Sequence, residues 1–367
     1  MFVHPERLQH VLTPEWYYSP EIHAAELRLL EGTWHYIASL AELPRDGSFL
    51  TRTLLGRPLL LRRIQGEVHA YLNVCPHRHC LLTSKPHGHD PAFRCQYHGW
   101  EFQCDGRTGK IPDAQSFRPF DRDNARLLKF RTQLCGDLVF VSLASQGPDL
   151  KEQLGEVHDV VEEVFSAPWR QIWQWENEIE ANWKIPLENG VESYHIPCLH
   201  PKTFRNYPQE DNIAHDLNAR WTSYRTGEMD GWVRNAIRRT ARWLGQPFTG
   251  MYTHYHVFPN LTFVRLDLFS MAQIVLPTSP TTSRTWVWVF SPFGPRRGII
   301  PWLFAQGNAL ASREIARAVL AEDGPIFPAV QRGLEASPAR GVIGRREERV
   351  WAFQDHLLRL CALREGR

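Results

Sequence analysis

Long apolar runs are absent from this sequence. None approaches the roughly 18 to 20 residues that a helix needs to cross a bilayer, and the start, MFVHPERLQHVLTPEWYYSP, lacks the apolar core of a secretory signal peptide. A strong charge of one sign is absent too, because 42 Lys and Arg nearly balance 40 Asp and Glu and give a net charge of +2. We therefore predict a cytoplasmic protein that binds neither membranes nor nucleic acid and acts on a small molecule.

Cysteine is sparse as well. The seven cysteines among 367 residues are odd in number and lack the dense spacing of a secreted scaffold held by disulfides. Reduced thiols or metal thiolates fit this pattern better than disulfides. The chain also shows no internal repeat, no heptads, no G-x-G-x-x-G run after a strand and no plant-type C-x₄-C-x₂-C run. We therefore expect neither a dinucleotide-binding domain nor a plant-type ferredoxin domain.

The segments that are present predict an α+β protein with more than one domain. Residues 16–34 have helical spacing, with Ser19 and Pro20 placed as the N-cap and the first helical residue. Short β-rich segments separated by Gly or Pro follow between residues 47 and 143, and they predict a small antiparallel β domain. The polar stretch ASQGPDLKEQLGE is a plausible linker, and strand-like and then helical segments follow it. The expected parts are an N-terminal helical segment over 1–35, the β domain over 36–147 and a larger domain over 148–367.

The stretch NVCPHRHCLLTSKPHGHDPAFRCQYHGW contains a pattern of metal ligands. Cys75 and His77 form C-x-H, seventeen residues intervene, and Cys95 and His98 form C-x-x-H. Each pair offers one thiolate and one imidazole, whereas structural zinc fingers usually present two Cys and then two His. The interleaved order suits a Rieske [2Fe–2S] centre, in which one iron takes both thiolates and the other takes both imidazoles. Zinc bound by the same four ligands is the alternative.

The same stretch contains further His and Cys residues that do not fit this pattern. His79, His87 and His89 lie off the C-x-H and C-x-x-H frame, in a segment rich in Gly and Pro, and we interpret them as solvated loop residues. Cys80 resembles the extra cysteine that forms a disulfide beside the cluster in respiratory-type Rieske proteins. The partner position implied by that resemblance falls on Tyr97, which is no cysteine, so we interpret Cys80 as a small buried residue.

A second constellation lies in NWKIPLENGVESYHIPCLHP. A Rieske cluster carries single electrons and does no chemistry on a substrate, so the chain is either a pure electron carrier or has a second site. Glu188, Glu192 and His195 fall at i, i+4 and i+7, which predicts one face of a helix that ends at Pro197. A break near Pro197 would turn His200 back toward that face. Two imidazoles beside a carboxylate are what a mononuclear 2-His-1-carboxylate iron site needs.

Taken together, the two motifs resemble a known family. C-x-H…C-x-Y-H-G-W and N-W-K…E-N-x-x-E-x-Y-H-x-x-x-x-H-P are similar to the signatures of the ring-hydroxylating oxygenases, the Rieske non-heme iron oxygenases. The resemblance implies a small antiparallel β Rieske domain and a larger catalytic domain of helix-grip type, with an antiparallel sheet and C-terminal helices. It also implies that Cys75, His77, Cys95 and His98 hold the [2Fe–2S] cluster.

The resemblance further implies that the third ligand of the mononuclear iron is an Asp in a helix far downstream. The segment AEDGPIFPAVQRGLEAS is similar to the E-D…Q-x-G-L pattern of the choline, glycine-betaine and carnitine oxygenases. We predict that Asp323 is this ligand, beside His195 and His200, with Glu322 as the near alternative and Asp355 as a weaker one.

Further roles follow only from the resemblance. Glu192 is expected to bridge His195 to a cluster His of a neighbouring subunit, which implies a homotrimer with electron transfer between chains. The expected cofactors are the Rieske cluster and a mononuclear Fe(II), with O₂ as cosubstrate. The expected electron donor is a separate flavin or ferredoxin reductase that uses NAD(P)H.

Substrate and reaction stay open at this point. We expect a terminal oxygenase that hydroxylates or oxidatively demethylates a small organic molecule. The alternatives are the α subunit of a cis-dihydroxylating aromatic ring dioxygenase and a Rieske electron-transfer protein without oxygenase activity. The apolar segment TFVRLDLFSMAQIVLP suits an aromatic substrate as well as an alkylamine, and its Arg265 would pair either a substrate carboxylate or, more simply, an acidic side chain of the protein.

Overall fold

Two units make up the chain: Glu31–Leu150, and Met1–Leu30 together with Lys151–Arg367. The structure is a computed structural model, and it describes residues 3, 8–121, 124–204, 212–227, 231–293 and 298–365. The β domain predicted over 36–147 falls in the first unit, which we call the smaller unit. The second, larger unit contains the N-terminal residues as well as the C-terminal part of the chain.

The helices and strands follow each other in mixed order. The helices are α1 (Pro20–Glu31), α2 (Leu150–Leu154), α3 (His158–Val164), α4 (Lys184–Val191), α5 (Ile196–Leu199), α6 (Trp232–Leu244), α7 (Ile299–Asp323), α8 (Phe327–Ala336) and α9 (Glu348–Glu365). The strands are β1 (Leu8–Gln9), β2 (Trp34–Ser39), β3 (Ser48–Leu54), β4 (Arg57–Ile64), β5 (Glu67–Leu72), β6 (His87–His89), β7 (Lys129–Cys135), β8 (Leu138–Ser142), β9 (Trp169–Ile179), β10 (Ile213–Leu217), β11 (Trp221–Gly227), β12 (Met251–Val257), β13 (Leu261–Arg265), β14 (Ser270–Ser279), β15 (Thr282–Pro292) and β16 (Val342–Ile343). Within the described part of the chain, no helix has the length and apolar character needed to cross a membrane.

The smaller unit is built on an antiparallel sheet of order β2-β8-β7-β5-β4-β3-β6. Two-residue turns join β3 to β4 and β4 to β5, at Leu55–Gly56 and Gln65–Gly66, and all four residues have positive φ. Such turns match the right-handed twist of the strands they connect. The core against this sheet includes Phe49, Leu60 and Tyr71 and also the two cysteines of the sequence motif, Cys75 and Cys95. The predicted antiparallel β domain is confirmed.

The larger unit contains a second antiparallel sheet, of order β10-β11-β12-β13-β14-β15-β9. Along β15 the side chains of Trp286, Trp288 and Phe290 are fully buried, and α7 packs across β15 and β9. Helix α9 packs on β10 and β11 near the end of the chain. An antiparallel sheet covered by C-terminal helices is the predicted α+β architecture, which is confirmed.

A buried polar network ties the N-terminal residues to the N-W-K motif. The Lys184 ammonium lies 2.6 Å from Glu26 Oε1, and the Trp183 indole N–H donates to Glu26 Oε2 at 2.8 Å. Gln331 of the Q-x-G-L motif accepts from the backbone N–H of Asn182 at 2.9 Å. Buried charges are tolerated when they are paired and hydrogen-bonded, as they are here. The hydrogen bonds of this network hold the start of α4 in place. These motif residues therefore have a structural role in this chain.

Glu188 extends this network. The Tyr17 hydroxyl and the Gln354 amide both donate to Glu188 Oε1, at 2.6 and 3.0 Å. Burial raises the pKa of Glu188 to about 7, although its hydrogen bonds act in the opposite direction. The Glu188 side chain therefore points to the N-terminal residues and to α9. These contacts hold the buried side of α4 in place.

Candidate metal centres

Two loops of the smaller unit repeat the same backbone geometry. The Cys75 N–H donates to the Cys80 carbonyl at 2.8 Å, and the Cys95 N–H donates to the Trp100 carbonyl at 2.8 Å. In each loop the fourth residue after the cysteine, His79 or Gly99, donates back to the cysteine carbonyl and has positive φ. The two fingers predicted from the C-x-H and C-x-x-H spacing are thus paired loops, and the left-handed conformation explains the glycine after His98.

The four predicted cluster ligands occupy these loops. Cys75 and Cys95 are buried, and the imidazole rings of His77 and His98 have centroids 4.7 Å apart. The Trp100 indole stacks on His77, with centroids 4.6 Å apart and planes 4° from parallel. The loops therefore hold two imidazoles in a fixed relation beside two buried thiols.

The residues present fit a [2Fe–2S] cluster. Nδ1 of His77 is buried and has no hydrogen-bond partner among the described residues, so it is available as a ligand. Burial, together with the neighbouring Cys95, raises the pKa of the Cys75 thiol to about 11, and a thiolate here therefore needs a bound cation. Two thiols and two imidazoles are the donor set of a Rieske centre.

The remaining His and Cys residues of the stretch lie apart from this donor set. His79, His87 and His89 are exposed, and the latter two belong to the short strand β6. Cys80 is half-buried and forms no disulfide, and its Sγ lies 3.3 Å from the Leu81 carbonyl.

The segment of the larger unit that contains His195 and His200 departs from the predicted helix. Helix α4 ends at Val191, because Glu192 adopts an extended conformation with φ −118° and ψ 171°. A new short helix, α5, begins after His195, and Pro197 lies in its first turn and does not end it. The prediction of one helical face through Glu188, Glu192 and His195 is therefore wrong. The Glu192 carboxylate accepts hydrogen bonds from the backbone N–H groups of Tyr194 and His195 and so replaces the helical hydrogen bonds. The spacing of residues in the sequence does not show this contact.

The structure nevertheless brings both imidazoles to Asp323. Nε2 of His200 lies 3.2 Å from Nε2 of His195 and 3.1 Å from Asp323 Oδ1. Nε2 of His195 lies 3.8 Å from the same carboxylate oxygen. All three ligand atoms lie within 4.8 Å of one another. Two imidazole nitrogens and one carboxylate are the donor set of a 2-His-1-carboxylate Fe(II) site, a type of site that keeps coordination positions open.

The opposite ring nitrogens of the two imidazoles face other carboxylates. Nδ1 of His195 is hydrogen-bonded to Glu192, and Nδ1 of His200 lies 2.9 Å from Glu322 Oε2. Burial alone would lower the pKa of His200, but its hydrogen bonds to Asp323 and Glu322 outweigh burial and raise it. The sequence left Glu322 as an alternative to Asp323, and the structure gives the two neighbouring residues different contacts.

Sequence reasoning missed Asn189. Its side-chain amide donates to Asp323 Oδ1 at 3.1 Å and so orients the carboxylate. The E-N pair of the motif was the available signal. Asp355 instead forms an i,i+4 ion pair with Arg359 at 2.8 Å, which removes the reason to consider it as a ligand. Arg265 pairs Glu163 at 2.6 Å, the simpler of its two predicted partners.

Fold and donor groups together are typical of a two-domain Rieske iron protein with a second, mononuclear metal site. Models of known families agree: the Rieske [2Fe–2S] domain matches residues 33–122, and the ring hydroxylating alpha subunit (catalytic domain) matches residues 166–363. The chain belongs to the family of ring-hydroxylating oxygenase α subunits. The predicted family, with its Rieske cluster and mononuclear iron, is confirmed.

Curated relatives include both monooxygenase and dioxygenase components. The glycine betaine monooxygenase oxygenase subunit of Chromohalobacter salexigens is 30% identical over 63% of this chain and 55% of its own length. The anthranilate 1,2-dioxygenase large subunit of Acinetobacter baylyi is 30% identical over 49% of this chain and 40% of its own length. In these alignments the chain spans about half the length of the curated relatives it matches.

Solved structures show the same fold over nearly the whole chain. The quaternary ammonium Rieske monooxygenase CntA, whose structure is described in terms of carnitine oxidation and inter-subunit electron transfer, has a TM-score of 0.78 at 19% identity and covers 97% of this chain and 96% of its own. Naphthalene 1,2-dioxygenase from Rhodococcus sp. has a TM-score of 0.73 at 17% identity and covers 95% of this chain and 94% of its own.

Proposed function

We propose that this chain is the terminal oxygenase component of a Rieske oxygenase system, and that it hydroxylates or oxidatively demethylates a small organic substrate. The observation that carries the proposal is the convergence of His195, His200 and Asp323 in the larger unit. An electron-transfer protein has no use for a second metal site, so this donor set favours an oxygenase over a pure carrier.

In this proposal each unit has one metal centre. Cys75, His77, Cys95 and His98 hold the [2Fe–2S] cluster, and His195, His200 and Asp323 hold Fe(II). When bound, the cluster supplies single electrons and the mononuclear iron supplies a site at which O₂ is reduced beside the substrate. The residues of the chain orient these groups: Trp100 stacks on His77, Asn189 donates to Asp323, and the burial of His200 limits the access of water.

We further propose that the chain works as a homotrimer with a separate reductase. The Glu192 carboxylate is hydrogen-bonded to Nδ1 of His195 and has a second oxygen that accepts from backbone N–H groups. A carboxylate that already holds one imidazole is suited to accept from a second one on a neighbouring chain. Electrons would then pass between subunits, which is what the CntA structure is described as revealing for that protein. The reductase, a flavin or ferredoxin type that uses NAD(P)H, would reduce the cluster.

The relatives favour methylated amines as the substrate class. Glycine betaine and carnitine monooxygenase subunits are among them, and both named substrates carry a quaternary ammonium group. The Q-x-G-L motif that suggested this branch from the sequence gives no further support, because Gln331 holds the backbone of Asn182 and Tyr17. Aromatic cis-dihydroxylation is the second candidate, since anthranilate and toluate dioxygenase subunits are also relatives.

The proposal is tested by turnover with a surrogate reductase, iron and O₂. We expect formaldehyde from methylated amines and a cluster spectrum that His195→Ala leaves unchanged while turnover is lost. An arene that gains both oxygen atoms without formaldehyde would favour the dioxygenase alternative. Equal electron transfer by wild type and His195→Ala, with no product from any substrate, would contradict an oxygenase and favour the carrier.

A further inference from the structure

The His200 imidazole lies between two carboxylates that are consecutive in sequence. Its Nε2 is 3.1 Å from Asp323 Oδ1, and its Nδ1 is 2.9 Å from Glu322 Oε2. The two ring nitrogens lie on opposite edges of the imidazole. Glu322 and Asp323, the last two residues of α7, therefore contact the same ring from both sides.

Only one of these contacts faces the proposed iron. The Nε2 atoms of His195 and His200 are 3.2 Å apart and share Asp323 Oδ1 as a neighbour, so the metal position lies on this side. Glu322 contacts the other edge of His200 and is not one of the three converging donors. An imidazole can present a lone pair at Nε2 only when its proton is on Nδ1.

Glu322 is itself held in place. Thr203, three residues beyond His200, donates its hydroxyl to Glu322 Oε2 at 2.5 Å. The same carboxylate oxygen therefore receives both the Thr203 hydroxyl and the His200 ring N–H. The His200 side chain is 2% exposed, so no alternative acceptor in bulk water competes for its Nδ1–H. His195 has the corresponding contact to Glu192, three residues before it in the chain.

We propose that Glu322 is a positioning residue that fixes His200 in the Nδ1–H tautomer and directs its Nε2 toward the iron. Each iron-binding imidazole then has its own carboxylate, Glu192 for His195 and Glu322 for His200. Carboxylates in this relation orient the ligand and increase its basicity, and their loss typically weakens metal binding roughly 10- to 100-fold. This inference rests on the proposed mononuclear iron site but not on the proposed substrate or reaction.

The test measures metal binding and not turnover. Fe(II) is titrated anaerobically into the cluster-containing protein, with a chelator as competitor, and the EPR signal of the bound ion is recorded with nitric oxide as probe. For Glu322→Ala we expect Fe(II) affinity to fall roughly 10- to 100-fold, with a changed EPR line shape because the ring is no longer held. Glu322→Gln retains a carbonyl acceptor for Nδ1–H, so it should lose less affinity and keep the wild-type line shape.

Two further variants complete the design. Thr203→Val removes the hydroxyl that holds Glu322 and should weaken Fe(II) binding by less than Glu322→Ala does. Glu314→Gln is the matched control, because Glu314 lies on the same helix and pairs only with Arg313 and Arg317 among the described residues. We expect its Fe(II) affinity to equal that of the wild type. The visible spectrum of the Rieske cluster and the melting temperature report in parallel whether each variant is folded.

Unchanged affinity and line shape in folded Glu322→Ala would overturn the proposal. If Glu322→Ala does not fold, Glu322→Gln and Thr203→Val decide: weaker binding in both supports the proposal, and wild-type affinity in both overturns it. If the affinity order holds but no organic substrate is converted, the proposed function fails and the role of Glu322 stands. If His200→Ala binds Fe(II) with the affinity of the wild type, the proposed mononuclear site and the proposed role of Glu322 are both wrong.

Discussion

The two candidate metal centres differ in how the chain brings their donors together. In the smaller unit, all four donors lie between residues 75 and 98, in two loops that are closed by their own backbone hydrogen bonds. In the larger unit, His195 and His200 meet a carboxylate from the end of α7, and their neighbours Glu192 and Glu322 come from both segments. The first site is locally determined, whereas the second depends on the packing of distant elements.

This difference has energetic consequences. A pair of short loops loses little chain entropy when its ends meet, whereas a site assembled from distant segments requires the whole fold to be in place. The larger unit accordingly contains a buried scaffold beneath α4, in which Lys184, Glu26 and Trp183 are paired, while Glu188 contacts Tyr17 and Gln354. We therefore expect the second site to respond to changes in the scaffold and the first site to be indifferent to them.

The largest expected effect separates the two sites completely. Asp323→Ala should lower Fe(II) affinity at the mononuclear site by about 100-fold or more, because a direct ligand is lost, and leave the cluster spectrum unchanged. His77→Ala should abolish the Rieske spectrum and leave Fe(II) binding in the larger unit intact. Iron analysis combined with visible and EPR spectra measures both. A single substitution that removes the iron from both sites would show that the two sites are not independent.

The next effect concerns the scaffold. Lys184→Met leaves the buried Glu26 carboxylate without its cation and should destabilise the larger unit by about 3 to 5 kcal/mol. Urea unfolding followed by tryptophan fluorescence measures this loss, and the cluster absorbance follows the smaller unit separately. Lys151→Met, at an exposed position of α2, is the control and should change stability by no more than about 0.5 kcal/mol. Equal stability of Lys184→Met and wild type would contradict the claim that the scaffold stabilises the larger unit and its metal site.

The same contrast explains what the sequence could predict. Cys75, His77, Cys95 and His98 lie in one short stretch as two Cys–His pairs, C-x-H and C-x-x-H, so the donor set was visible without the fold. At the second site, the i, i+4, i+7 spacing suggested a helix that does not form, because the Glu192 carboxylate caps the backbone N–H groups of the next residues. Helical periodicity cannot detect such a local competition between a side chain and the backbone.

Long-range contacts could not be predicted from the sequence for a different reason. Asp323 came only from resemblance to a family. Spacing could not separate it from Glu322, because the side chains of neighbouring residues at a helix end point in different directions and only the fold shows which of them faces the site. Asn189 was overlooked although it stands in the motif, because an amide is not an expected iron ligand. The partners Glu26 and Tyr17 lie more than 150 residues from the side chains they contact, and no local pattern connects them.

The smallest expected effect is a pH dependence of the scaffold. Burial raises the pKa of Glu188 from 4.5 to about 7. Between these values the carboxyl group is ionised in the unfolded chain but protonated in the folded protein, so folding takes up a proton. The protonated group therefore contributes stability that is fully present below about pH 4.5 and is lost as the pH rises toward 7. Glu188→Gln keeps the oxygen that accepts from Tyr17 and Gln354 but cannot titrate.

We expect the unfolding free energy of wild type, minus that of Glu188→Gln, to fall by about 2 to 3 kcal/mol across this pH interval and to stay constant above it. The nearby titratable groups Tyr17, Glu26, Lys184 and His10 are present in both proteins, so to a first approximation their own titration cancels in the difference. Urea unfolding at a series of pH values measures the difference, and Glu314→Gln, at an exposed site, should show none. A difference that is independent of pH would mean that Glu188 is ionised in the folded protein, and that Lys184 balances two buried carboxylates instead of one.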